Sequence, residues 1–151
     1  MRRLSMFLAV ALLFFAATPA SASRHDVGTP IPFEQLPAKA LRFYKDHFSQ
    51  ADVGSVILFS KYFAKKEYTV YMKDGSKVEF TSSGDWEKVK MKTKAVPEKI
   101  IPTPIAEYIK TNFPESSIKE IKKSQRKIEV ELTNGLEVEF NHQGQFLRID
   151  D

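Results

Sequence analysis

The chain has 151 residues, a formal net charge of +4 and no cysteine, and 42% of its residues are hydrophobic. The missing cysteine excludes disulfides, thiolate metal sites, iron–sulfur clusters and thiol catalysis, while the apolar share is enough for a packed core. Without Arg2 and Arg3, which lie in a segment expected to be removed, the balance is 21 basic against 19 acidic residues, and nothing resembles the clustered basic surface that nucleic acid requires.

Arg2 and Arg3 form a positive start, residues 6–17 are apolar, and Ala20-Ser21-Ala22 offers small residues for cleavage. Residues 1–22 therefore read as a signal peptide cut after Ala22. The apolar run is shorter than the ~20 residues of a membrane span, and no cysteine follows it for lipid attachment. The Arg-Arg pair sits too near Met1 for a twin-arginine signal, so general secretion, to the periplasm or beyond, is expected. Residues 23–30 form a mature N-terminal tail. Its free amine and the third-position histidine of Ser23-Arg24-His25 would suit square-planar copper(II) or nickel(II). Such three-residue coincidences are common, and no metal is assigned to it.

The rest reads as two tandem copies of one unit, residues 31–93 and 94–151. Residues 31–56 align with 96–121: Pro32 with Pro97, Pro37 with Pro102, Phe43 with Tyr108, Phe48 with Phe113. Residues 67–89 align with 127–149: Val70 with Val130, Gly75 with Gly135, Trp86 with Phe146. The change of offset gives the first copy five extra residues near positions 58–66. Each unit opens with a helix. Ala40, Phe43, Tyr44, His47 and Phe48 have helical spacing, as do Ile105, Tyr108, Ile109, Asn112 and Phe113. Thr103 is placed as the cap of the second helix, Pro104 in its first turn, and Pro114 as its stop.

Four strands are expected after each helix. Ile128, Val130 and Leu132 alternate with glutamates and Thr133, and Val138 and Phe140 alternate with Glu137, Glu139 and Asn141. This is the pattern of half-buried antiparallel strands. Leu132 and Leu136 share the core face only if they pair across a three-residue loop, Thr133-Asn134-Gly135, with Gly135 in the left-handed position. Lys73-Asp74-Gly75 repeats this between Met72 and Ser76. The fold expected is α+β, one curved eight-strand antiparallel sheet with both helices on one face.

These features resemble the PepSY-like family of secreted bacterial proteins, which share a fold with beta-lactamase inhibitor proteins. The residues that carry the resemblance are the leader, Ile31-Pro32-Phe33-Glu34-Gln35-Leu36-Pro37, the helix ending at Phe48, and the Asn134-Gly135 turn. Leu136-Glu137-Val138-Glu139-Phe140 and the ending Phe146-Leu147-Arg148-Ile149-Asp150-Asp151 complete it. The resemblance implies two helix-and-four-strand repeats and binding or inhibition of another secreted protein, without catalysis. No inhibitory contact residues carry over position by position.

Two surfaces are candidates. The predicted register sets Glu131 opposite Glu137 and Glu129 opposite Glu139, with Arg148, Lys122 and Lys123 near by. That face reads either as a solvated surface with weak ion pairs or as a carboxylate site for a divalent cation or small cationic ligand. In the first copy, Tyr71 faces Lys77, Thr69 faces Glu79, and Trp86 is placed beside Thr81, leaving Tyr71 and Trp86 as exposed aromatics. With Tyr62 and Phe63 of the insertion they are the candidate protein-binding anchors. Catalytic residues and cofactors are not expected. The three histidines have no metal-ligand spacing, and phosphate loops, nucleophile elbows and His-Glu-x-x-His motifs are missing.

Overall fold

The structure, a computed structural model, describes residues 28–61 and 65–150, and the side chains of 61 and 65 are not considered. The leader, Ser23-Arg24-His25, Tyr62 and Phe63 lie outside the described residues. The chain runs β1 (Thr29–Pro30), α1 (Ala38–His47), β2 (Val53–Lys61), β3 (Lys65–Met72), β4 (Lys77–Thr81) and β5 (Trp86–Lys90). Then follow α2 (Thr103–Asn112), β6 (Ile118–Lys123), β7 (Ile128–Leu132), β8 (Glu137–Phe140) and β9 (Phe146–Asp150). All nine strands form one antiparallel sheet in chain order. The ninth, against an expected eight, is the two-residue β1, which pairs with Leu58 and Ile57 of β2.

One row of side chains shows how the sequence specifies this sheet. Val56, Val70, Val78, Val89, Ile121, Val130, Val138 and Ile149 lie opposite one another in turn across eight strands. All but Ile149 are buried. Both helices supply the facing layer, with Ala40 and Tyr44 from α1 and Ile105 and Ile109 from α2 in the same apolar core. β-branched residues at period two favour the pleat, and the two spacings of four put each helical pair on one helix face.

Helix starts differ from expectation. Pro102, in an extended conformation, is the N-cap of α2, and Thr103 and Pro104 are already in its first turn. Thr103 therefore does not cap: no side-chain hydrogen bond closes this end. Proline fits because its missing N–H is one a helix start leaves unpaired.

The β7–β8 hairpin forms as its parity requires. Leu132 N–H donates to the Leu136 carbonyl at 2.9 Å, and Gly135 has φ +93°. Met72 and Ser76 repeat this bond at 2.8 Å around Gly75. A side chain at Gly135 would strain a backbone that L-residues rarely adopt.

Tyr44 is fully buried, and its hydroxyl has no hydrogen-bond partner among the described residues. Burial first, then Asp52 and Asp74, pushes its pKa up to about 12. An unmade hydrogen bond of this kind costs about 1–3 kcal/mol.

The outer face of the sheet as candidate functional site

Alternate residues on β2–β9 point away from the helices, and their register makes two rows. One reads Ile57, Thr69, Glu79, Lys88, Lys122, Glu129, Glu139, Arg148. The other reads Ser55, Tyr71, Lys77, Lys90, Glu120, Glu131, Glu137, Asp150. Lysine predominates on β4–β6 and carboxylate on β7–β9.

The predicted pairs Glu129–Glu139, Glu131–Glu137 and Glu139–Arg148 are all present. Like charges opposite one another repel, and cations between them offset this. Arg148 holds Glu139 with Nε and Nη2 at 3.0 and 2.9 Å, and Lys127 bonds the same carboxylate. Lys127 also reaches Glu129 at 2.7 Å, and Lys122 reaches it at 3.5 Å. Glu131 pairs with Lys119 at 2.8 Å and Lys90 at 3.7 Å. Glu120 is shared by Lys88 and Lys90.

Glu137 is different. No lysine or arginine lies within ion-pair distance of it among the described residues. Burial, with Glu129 and its hydrogen bond behind it, holds the Glu137 carboxyl above the usual range. Burial also pushes Glu129 up, but Lys127 and Lys122 carry it below the usual range. Arg148, then Lys127, brings Glu139 down to about 2. Oxygens of Glu129, Glu137 and Glu139 lie within 4.8 Å of one another. Beside them is a depression of about 220 Å³ lined by Lys88, Glu120, Lys122, Glu129, Glu131 and Glu137.

The aromatic candidates fare differently. Tyr71 lies on the outer face opposite Lys77, half-buried. Trp86 does not lie there. A register shift between Glu79 and Phe80 sets Trp86 opposite Phe80, on the helix side. It stacks on Phe43 of α1, ring centroids 5.8 Å apart, and Lys123 Nζ lies 3.6 Å from its ring centre. One inserted residue reverses facing, so the placement of Trp86 beside Thr81 is corrected. Lys123 likewise faces the helix side and takes no part in balancing the glutamates.

Two participants were missed in the sequence. Lys127 has the parity of Glu129 and Glu131, a signal that was available. Glu120 reaches the outer face through the irregularity between Ile118 and Glu120, which the three-residue spacing of buried Ile118 and Ile121 betrays.

The architecture is an open antiparallel sheet with helices on one face and fixed rows of charged side chains on the other. The chain belongs to the PepSY-like family: the family described as "Putative beta-lactamase-inhibitor-like, PepSY-like" matches residues 66–148. A solved structure described as a putative periplasmic protein of the DUF2874 family, from Bacteroides vulgatus, is 35% identical with a TM-score of 0.78. It covers 83% of this chain and 98% of its own. One from Bacteroides thetaiotaomicron, described as a putative calcium-regulated periplasmic protein, is 35% identical with a TM-score of 0.79, covering 82% and 97%. No curated protein matches the chain. No helix among the described residues is long and apolar enough to cross a membrane.

Proposed function

We propose that this protein is an exported, non-catalytic periplasmic module that binds another envelope or secreted protein through the outer face of its sheet. The observation that carries the reading is the pair of charge rows opposite the helices. Ladder hydrogen bonds hold these side chains on a rigid surface, so little ordering entropy is lost on contact. Segregated charge favours a partner of complementary pattern and sets register and on-rate. The leader at residues 1–22 and the periplasmic descriptions of the related structures support the compartment.

The same reading takes residues 31–93 and 94–151 as two copies of one unit forming a curved surface. Equivalent contacts support it. Phe43 stacks on Trp86 at 5.8 Å and Tyr108 on Phe146 at 5.0 Å, and Phe43 meets Phe80 edge-on as Tyr108 meets Phe140.

The test is affinity capture from the native envelope fraction. A specific protein should be retained by the wild type and by helix-side variants, and lost with Lys88→Ala plus Lys122→Ala. Retention by all variants, or no specific protein, refutes the reading.

A second reading rests on one observation: Glu129, Glu137 and Glu139 converge, and Glu137 has no cationic partner among the described residues. A divalent cation would take this place, with Glu131 at its margin, and one related structure is described as calcium-regulated. It must displace Lys127, and calcium takes six to eight oxygens. A calcium-dependent rise in melting temperature, abolished by Glu129→Gln with Glu139→Gln, supports this reading. No rise with calcium, magnesium or zinc removes it.

A further inference from the structure

The two edges of the sheet are finished differently. β1 covers the β2 side, where Ile31 N–H also donates to the Val56 carbonyl at 3.0 Å. β9 ends the other side, with no strand beyond it among the described residues. Its Phe146, Leu147 and Ile149 are 41%, 49% and 42% exposed, the large apolar side chains left open among the described residues. An open apolar edge is a template for another strand.

The backbone says where such a strand would bond. Asn141 N–H donates to the Gln145 carbonyl across the β8–β9 hairpin at 2.9 Å. Peptide groups alternate in direction along a strand, so those of Glu139 and Glu137 also point to β9. Glu139–Arg148 and Glu137–Asp150 are then the hydrogen-bonded pairs of this ladder. The N–H and C=O of Ile149, between them, point out of the sheet.

We propose that β9 pairs with β9 of a second copy of this chain, antiparallel and centred on Ile149. Charge selects that centre. A two-fold axis at Arg148 would set arginine against arginine, and one at Asp150 aspartate against aspartate, both unfavourable. An axis at Ile149 sets Arg148 opposite Asp150 of the second copy, twice. It also lets the two Ile149 residues exchange both backbone hydrogen bonds. The apolar row that runs from Val56 to Ile149 then continues into its own copy, covering the one member of that row left exposed.

Sedimentation equilibrium on the mature chain, in a concentration series reaching ~1 mM, reads the association. A monomer–dimer equilibrium is expected. Arg148→Asp alone and Asp150→Arg alone each turn two attractive pairs into repulsive ones and should weaken the dimer at least ~10-fold. Mixing the two variants sets opposite charges across the junction again and should restore association. Ile149→Pro removes the outward N–H without touching the ladder to β8, and should abolish the dimer while the cooperative melt persists. Arg148→Asp also loses the Glu139 contact, so if it unfolds, Asp150→Arg and Ile149→Pro carry the test. A monomer at every concentration overturns the proposal. So does a dimer indifferent to these variants, or a mixture of folded variants that associates no better than each alone.

Discussion

Phe43 and Trp86 stack with their rings 27° from parallel and 5.8 Å between centroids, joining α1 to the β4–β5 hairpin. Phe80 packs edge-on against the same Phe43. Trp86 therefore belongs to the layer between helix and sheet. Truncating it to alanine should cost about 2–4 kcal/mol in a urea melt, slightly less than a fully buried ring. Binding by molecules that remain folded should be unchanged. A loss below 0.5 kcal/mol, the size of an ordinary surface change, would show that the stack carries little.

Tyr44→Phe is expected to be stabilising by about 1–3 kcal/mol, because it removes a buried hydroxyl without a partner and leaves the ring packing intact. Equilibrium unfolding checks this. A loss beyond 1 kcal/mol would mean that the hydroxyl is satisfied after all.

Stability should respond to pH in opposite senses at two neighbouring carboxylates. Glu139 titrates at about 2 when folded, below its unfolded value. Its contribution is full above about pH 4.3 and fades as pH falls toward 2. Glu137 is shifted upward, so its sign is reversed: its contribution is present in acid and lost as pH rises through the folded pKa. Glu137→Gln should therefore raise the melting temperature at pH 7 more than at pH 4. Glu139→Gln should lower it at pH 7 and matter least near pH 2. Equal effects of Glu137→Gln at both pH values would contradict the assignment.

The halves should not fold apart. Val89 of β5 lies opposite Ile121 of β6, and Met91 N–H donates to the Lys119 carbonyl at 2.8 Å, so the ladder runs through the middle of the chain. Residues 94–151 alone would expose that edge and bury too little surface to be stable. A broad, poorly cooperative melt is expected from this fragment. A sharp two-state transition would contradict a single cooperative sheet.

Much of this was legible in the sequence because strand parity is strict. The apolar positions of β7 and β8, with Gly135, sufficed to place Glu131 against Glu137 and Glu129 against Glu139. Trp86 escaped the same logic because an irregularity at Glu79 and Phe80 inverts the count, and no glycine or proline marks that step. β1 was missed because two residues are too few for a period. The exposed apolar edge at Phe146, Leu147 and Ile149 was hidden because an apolar last strand reads the same whether it is covered or open. Whether another strand lies beyond depends on topology.

On the proposed reading the outer face binds and the helix side only supports it. The most direct measurement is a binding isotherm of the captured partner against the wild type, Lys88→Ala with Lys122→Ala, and Trp86→Ala, each checked for folding. A loss of at least thirty-fold, about 2 kcal/mol, is expected for the lysine pair, and full affinity for folded Trp86→Ala. Full affinity for the lysine pair together with a thirty-fold loss for Trp86→Ala would place the binding surface on the other side of the molecule and contradict binding through the outer face.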